Sequence, residues 1–363
     1  MDSLKQTPLY EEHLALKAKI VPFGGWSMPL QYIGILEEYD HTRRDVTLFD
    51  TCHMGEFIVE GDAVASGLDK IVTMAMADMP VNTSRYGLML KDTGGVIDDL
   101  IVFRLGPTRW MIVVNGATTA KDALHFQEHI QPPGRFQDLS SKTGKIDVQG
   151  PLAREILQPF VPGLESLNYF QCRSVRILDQ EAIVSRTGYT GELGYEIFFP
   201  WGKTTELWRK LLQNEKVTPA GLGARDVLRL EVGYSLYGHE LDEETTPLEA
   251  GLEKFVDFNK AFIGKTALLK QKKSGPSKKL IGLISENRRS PRDHHKIYSA
   301  DKKEIGRVTS GGFSPAMQKG IGLGYIYRKD LPRGAAIHFG DENNLLPATV
   351  SSRIFYRNGS LKS

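Results

Sequence analysis

Two carboxylates stand side by side in an apolar stretch, GGVIDDLIVF, that runs from Gly94 to Phe103. Its Val, Ile, Leu and Phe residues predict a buried strand, where a carboxylate is costly unless it is paired or used. Neighbouring side chains of a strand point to opposite faces, so Asp98 and Asp99 cannot both face one site. Either is a candidate for chemistry. The alternative is that GGVIDD is a turn followed by the start of a strand, in which both aspartates bond the backbone.

A second candidate is RTGYTGELGYE, residues 186–196, which is dense in Gly, Tyr and Glu. Glycines allow a ligand to approach the backbone closely, and Tyr189 and Tyr195 offer flat apolar faces. Glu192 and Glu196 offer acceptors for N–H groups. The combination would suit a planar heterocycle that carries N–H donors. A plain hairpin with an aromatic core is the alternative.

Two arginines, Arg225 and Arg229, lie four residues apart in GARDVLRLEVGY, on one face of a predicted helix. Arg binds carboxylates in bidentate fashion, so the pair could recognise an acidic ligand. The alternative is a solvated helix with internal ion pairs, for which Asp226 and Glu231 are nearby partners.

Other chemistries find little support. Cys52 and His53 are adjacent, and neighbours in sequence rarely form a nucleophile and its base. No phosphate-binding glycine motif occurs between a strand and a helix, and no Cys/His cluster has the spacing of a zinc site. We therefore predict neither a thiol protease nor a metal site.

Length, charge and composition indicate a globular protein that neither binds nucleic acid nor spans a membrane. The 363 residues suffice for two or three domains. The net charge of +2 argues against a dedicated nucleic-acid binder, and no apolar run could span a bilayer. Two cysteines indicate a reducing compartment, and the first residues lack a signal-peptide core. We expect a cytoplasmic protein, or a mitochondrial matrix protein whose presequence has been removed.

The predicted elements belong to the α+β class. GGVIDDLIVF and WMIVV predict a hairpin around Gly106-Pro107, and GKIDVQG predicts a further strand. KQKKSGPSKKL predicts an interdomain linker over 271–280. Residues 281–363 show strands and turns without a strong helix, which predicts a small barrel or sandwich.

Many stretches, taken together and in order, resemble the folate-binding aminomethyltransferase family of the glycine cleavage system, the T-proteins. The resemblance extends from about Thr7 to Tyr356. The stretches are TPLYEEH, FGGWSMPLQY, LFDTCHMGEF, GGVIDDLIV, VVNGATTAKD, VQGPLA, SRTGYTGELGYEI, GLGARDVLRLE, LYGHEL, TTPLEAGL, FIGKTAL and GRVTSGGFSP.

This resemblance implies a three-domain cloverleaf around a central channel that holds tetrahydrofolate. The expected domains are a discontinuous first domain, residues 1–54 and 140–270, a second domain, residues 55–139, and the C-terminal β-barrel domain, residues 281–363. The second domain would carry the strand with the aspartate pair.

The resemblance also implies a reaction and its residues. The aminomethyl group on the lipoyl arm of the H-protein would pass to tetrahydrofolate, releasing ammonia and giving 5,10-methylenetetrahydrofolate. The second aspartate of the pair, Asp99, inherits the catalytic role. The implied folate contacts are Met54, Tyr86, Asn115, Phe170, Tyr189, Glu196, Arg225, Tyr234 and Arg357.

Two departures and two alternatives remain. Cys52 stands where the family usually has Ser, and Leu193 where it usually has Asp. A folate-dependent demethylase of a small methyl donor would share the fold. A non-enzymatic folate-binding protein is the other alternative, although its relatives carry a KGCYxGQE-type motif where this chain has RTGYTGELGYE.

Overall fold

The computed structural model describes residues 4–132, 134–327 and 331–362, and these residues contain eight α-helices. None of these helices is both long and apolar enough to cross a membrane. The helices are α1 (Tyr10–Ala15), α2 (Ile35–Arg44), α3 (Leu68–Ile71), α4 (Thr119–His129), α5 (Ala153–Leu157), α6 (Thr204–Leu211), α7 (Leu222–Glu231) and α8 (Lys265–Ser274).

A six-stranded sheet contains the GKIDVQG stretch. Its strands are β3 (Val46–Asp50), β9 (Thr143–Gln149), β10 (Cys172–Ile177), β11 (Gln180–Ser185), β12 (Gly194–Pro200) and β13 (Val217–Pro219), in the order β10-β11-β12-β9-β3-β13. Ile146 and Val148 of β9 lie in the apolar core that Leu207, Trp208 and Leu211 of α6 also enter. Strand residues alternate between faces, so Lys145, Asp147 and Gln149 lie on the other face of β9.

A five-stranded sheet contains the GGVIDDLIVF stretch. Its strands are β4 (Gly55–Glu60), β5 (Thr83–Leu90), β6 (Val96–Arg104), β7 (Arg109–Val114) and β8 (Arg135–Asp138), in the order β5-β6-β7-β4-β8. Strands β6 and β7 are antiparallel neighbours, which confirms the hairpin predicted around Gly106-Pro107. A separate antiparallel pair is formed by β1 (Lys19–Phe23) and β2 (Trp26–Gln31).

The C-terminal strands close into a six-stranded barrel, as one of the two predicted architectures requires. They are β14 (Lys279–Ser285), β15 (Lys296–Ser299), β16 (Glu304–Ser314), β17 (Lys319–Ile326), β18 (Ala336–Asp341) and β19 (Asn344–Ser351). The predicted linker over 271–280 is wrong at both ends. Helix α8 continues to Ser274 because its Leu, Lys and Gln residues favour helix, and β14 already begins at Lys279.

The chain forms two compact units, and each is discontinuous. The first comprises the residues up to Gly87, Leu100–Asp226 and the residues from Gly359 onward. The second comprises Leu88–Asp99 and Val227–Asn358. Residues 55–139, expected above as a domain of their own, thus belong to the first unit apart from Leu88–Asp99.

Candidate active site

The two aspartates of β6 lie in different environments. Asp98 is completely buried, whereas Asp99 is half-buried. Both belong to strand β6, which begins at Val96 directly after a turn in which the Gly94 amide donates to the Lys91 carbonyl at 2.8 Å. The difference in exposure agrees with opposite faces of the strand. Of the two carboxylates, Asp99 is the one that a molecule outside the strand can reach more easily.

The glycine-rich segment forms the loop of the β11–β12 hairpin. Gly188 and Gly194 both lie against the side-chain amide of Gln149: a Cβ at these positions would lie 2.1 and 2.3 Å from Gln149 Oε1. The loop is tied to the same amide by Thr190, whose hydroxyl donates to Oε1 at 2.9 Å. Gln149 Nε2 in turn donates to the Thr187 carbonyl at 3.3 Å. A side chain at either glycine would have to displace the Gln149 amide, so the contact between β9 and this loop depends on both glycines.

The two glutamates of this segment have different partners. Glu192 Oε1 accepts a hydrogen bond from Arg43 at 2.7 Å, and Oε2 accepts one from the Ser360 amide at 2.7 Å. Its neighbour Leu193 is buried in the apolar core, so the aliphatic residue that departs from the family pattern has an apolar environment here. Glu192 therefore links Arg43 to Ser360. Glu196 remains the candidate acceptor for the N–H groups of a ligand.

Glu196 belongs to a buried network of charges. It lies directly opposite Asp147 in the β12–β9 pairing. Lys145 Nζ donates to Asp147 Oδ1 at 2.8 Å and also to Glu196 Oε1. The other oxygen, Glu196 Oε2, accepts a hydrogen bond from the Thr187 hydroxyl. One ammonium thus bridges two carboxylates that would otherwise repel each other.

Arg225 extends this network from α7. Its Nη1 donates to Asp147 Oδ2 at 2.8 Å, and its guanidinium carbon lies 4.8 Å from the centroid of the Tyr189 ring, a cation–π arrangement. Arg229 has a different set of partners in the second unit, where Nη1 donates to Glu240 at 2.8 Å and is buried. The two arginines therefore bind different carboxylates, Asp147 and Glu240, and do not form one carboxylate-binding pair.

The network favours the charged forms of both Asp147 and Lys145. Burial opposes ionisation of Asp147, but Lys145 and Arg225 outweigh it and hold the pKa of Asp147 at about 2. Burial likewise opposes the charged form of Lys145, yet Asp147 and Glu196 raise its pKa above the ordinary value. Lys145 and Arg225 supply two positive charges against the two carboxylates, so the buried group is balanced.

The turn between β3 and β4 places Met54 beside this network, with its sulfur 3.7 Å from Lys145 Nζ. Cys52 bonds the backbone of Lys145 through its sulfur, and burial raises the pKa of its thiol well above the ordinary value. Burial also lowers the pKa of His53 to about 4, and its Nδ1 has no hydrogen-bond partner among the described residues. A neutral thiol bonded to backbone is not an activated nucleophile.

The remaining predicted contacts are distributed over both units. In the first, Tyr86 is half-buried in β5, and the Asn115 carbonyl, just after β7, accepts from the Thr118 hydroxyl at 3.0 Å. Phe170 has a φ of +63°, and its amide donates to the Arg186 carbonyl at 3.0 Å. In the second, the Tyr234 amide donates to the Arg229 carbonyl, and Arg357 is exposed. Asp99 also belongs to the second unit.

The structure thus joins Met54, Tyr189, Glu196 and Arg225 through two residues that the sequence analysis missed. Lys145 and Asp147 appeared there only as part of a predicted strand. A usable signal is present in GKIDVQG, where Lys, Asp and Gln alternate with Ile and Val. Three polar residues on one face of a central strand indicate a buried polar site.

Comparison with known proteins gives a consistent result. Residues 9–260 match the family model described as the GCVT N-terminal domain, and residues 278–357 match the glycine cleavage T-protein C-terminal barrel domain. An aminomethyltransferase of Pseudothermotoga lettingae is 41% identical, covering 99% of this chain and 100% of that protein. One from Halothermothrix orenii is 43% identical over 91% of this chain and 94% of its own length. The crystal structure of the glycine cleavage system aminomethyltransferase T from Bartonella henselae superposes with a TM-score of 0.92, at 33% identity, over 98% of this chain and 99% of that one.

Proposed function

This chain belongs to the glycine cleavage T-protein family of aminomethyltransferases, and from that premise we propose how its own residues act. It is an aminomethyltransferase of the glycine cleavage system. The donor is the aminomethyl group on the dihydrolipoyl arm of the H-protein, and the acceptor is tetrahydrofolate. The carbon leaves sulfur and nitrogen and forms bonds to N5 and N10. The two hydrogens displaced from N5 and N10 complete ammonia and the free thiol, so the reaction balances.

Asp99 is the catalytic residue of this proposal. Its carboxylate would lie near N5 and N10 and would stabilise the positive charge that develops on the transferred carbon as ammonia leaves. Such charge stabilisation is strong in a site that excludes water. The half-buried position of Asp99 supports this role, and the fully buried position of Asp98 supports a structural one.

Glu196, Tyr189 and Arg225 form the folate-binding part of the proposal. A carboxylate has about four lone-pair positions, and Lys145 and Thr187 occupy one on each oxygen of Glu196. The pterin amino and amide N–H groups can use the others. Tyr189 would pack against the ring. Arg225 donates one hydrogen bond to Asp147. Its other N–H groups would donate to the glutamate carboxylate of folate.

The other contacts come from the family resemblance. They are Met54, Tyr86, Asn115, Phe170, Tyr234 and Arg357. Met54 has the strongest local support, because its sulfur contacts Lys145 beside Glu196. The observation that carries the proposed folate site is Glu196 itself: a buried carboxylate, held on both oxygens, with acceptor positions to spare.

Ammonia release tests the function. The purified chain is mixed with tetrahydrofolate and lipoylated H-protein carrying the aminomethyl group, and ammonia and 5,10-methylenetetrahydrofolate are measured. We expect equal amounts of the two products, formed only when both substrates are present. Turnover of a free methyl donor without ammonia would instead indicate a demethylase. Folate binding without any turnover would indicate a non-enzymatic folate-binding protein.

A further inference from the structure

The polar face of β9 contacts Glu196, Arg225 and the loop that carries Tyr189, three parts of the proposed folate site in the first unit. Gln149 bonds the loop that carries Tyr189, Lys145 bonds Glu196, and Asp147 bonds Arg225. These three residues alternate along one strand and are all buried. A strand that holds each binding residue by a separate side chain can set their mutual geometry.

Lys145 has the most demanding position of the three. Asp147 and Glu196 are direct cross-strand neighbours, a placement in which like charges destabilise a sheet. The Lys145 ammonium donates to both carboxylates, and it also donates to the Thr51 hydroxyl at 3.3 Å. The Met54 sulfur lies 3.7 Å from the same nitrogen, so four acceptors surround the three donors of the ammonium. Lys145 is therefore held by this network and has no donor left for a ligand.

We propose that Lys145 is a positioning residue for tetrahydrofolate binding: its ammonium fixes the Glu196 carboxylate in the orientation that receives the pterin N–H groups. This inference rests on the proposed function of Glu196. Lys145 acts through Glu196 and does not contact the ligand. Its raised pKa agrees with this, since a protonated amine is not a nucleophile.

The orientation argument predicts a specific defect. Without the ammonium, Glu196 keeps the hydrogen bond from the Thr187 hydroxyl and faces Asp147 directly. Its carboxylate can then rotate away or take up a proton, and a protonated acid accepts hydrogen bonds poorly. Tetrahydrofolate binding should weaken, and it should weaken further toward acidic pH. The chemical step should change little once the site is saturated.

A double-mutant cycle tests the inference with the full chain. Binding of tetrahydrofolate is measured for the unchanged chain, Lys145→Met, Glu196→Gln and the double variant, at several pH values. We expect Lys145→Met to bind about tenfold more weakly, as the loss of a hydrogen bond to a charged group implies. Its KM for tetrahydrofolate should rise with kcat nearly unchanged. The double variant should bind no more weakly than Glu196→Gln alone. Lys216→Met, which removes the same charge from an exposed pair with Glu155, is the matched control and should bind normally.

Each result decides the question. Unchanged affinity and an unchanged pH profile in Lys145→Met would overturn the inference while leaving the proposed function intact. Additive losses in the double variant would also overturn it, because Lys145 would then act independently of Glu196. If Lys145→Met does not fold, Lys145→Gln, which keeps a donor without the charge, is measured in its place with the same expectations. Absence of tetrahydrofolate binding by the unchanged chain would overturn the proposed function itself.

Discussion

Strands β6 and β9 each carry a close pair of charged residues among apolar ones, Asp98 and Asp99 in β6 and Lys145 and Asp147 in β9, and the two pairs are arranged differently. In β6 the two are adjacent and of like sign, so they point to opposite faces, and only Asp99 is partly exposed. In β9 they are two residues apart and of opposite sign, so Lys145 and Asp147 share a face and pair at 2.8 Å. Spacing thus places the two β6 carboxylates on opposite faces, with Asp99 partly exposed, and the two β9 charges on one face, where they form an ion pair.

Breaking the β9 pair should give the largest effect. Asp147→Asn removes one carboxylate partner of Lys145 and the carboxylate partner described for Arg225, and we expect it to lower the free energy of unfolding by about 3–5 kcal/mol, measured by urea denaturation. The double variant Lys145→Met/Asp147→Asn should lose less than the sum of the single losses, because each single change leaves an uncompensated buried charge. Strict additivity would mean that the two residues do not stabilise one another. Lys216→Met, at the surface, should cost less than about 1 kcal/mol.

His53 provides a contrast, because it is buried near the network and has no ion-pair partner among the described residues to keep it charged. Its pKa is lowered from 6.5 to about 4, mainly by burial. The unfolded chain therefore binds a proton that the folded chain excludes. Folding is favoured by the full contribution of neutral His53 above about pH 6.5. That contribution to the free energy of unfolding is lost as the pH falls toward 4, by about 3 kcal/mol in total.

The measurement is urea denaturation of the unchanged chain and His53→Gln as a function of pH. The difference between the two stability curves should change by about that amount between pH 6.5 and 4. His294→Gln, at an exposed histidine, is the control and should follow the unchanged chain. A constant difference across this range would show that His53 does not titrate as the structure implies.

The sequence was sufficient to predict strands β6 and β9 and the turn that follows β6. Alternation and β-branched residues predicted β6 and β9, and Gly106-Pro107 predicted the turn after β6. The Lys145–Glu196 contact could not be predicted in this way, since it joins residues 51 positions apart. It depends on the register that places Asp147 opposite Glu196, which the packing of the whole sheet determines.

The resemblance supplied what local patterns could not. Adjacent aspartates in a strand are equivalent by spacing alone, and the preference for Asp99 came from the family match. The resemblance gave Glu196 and Arg225 as separate contacts without the buried residues that connect them. At helix α8 the local composition was misleading. The Lys-rich sequence suggested a linker, whereas the structure is helical through Ser274, in agreement with the helix propensity of its residues.

Asp99 is proposed to be catalytic and Asp98 to be structural. One comparison tests this difference most directly. Ammonia release and tetrahydrofolate binding are measured for Asp99→Asn and Asp98→Asn, which change the same group on opposite faces of β6. We predict that Asp99→Asn loses about a hundredfold in turnover, equivalent to nearly 3 kcal/mol, while still binding tetrahydrofolate. Asp98→Asn should keep its turnover per folded molecule. Near-normal turnover in Asp99→Asn, or a comparable loss confined to Asp98→Asn, would contradict the account.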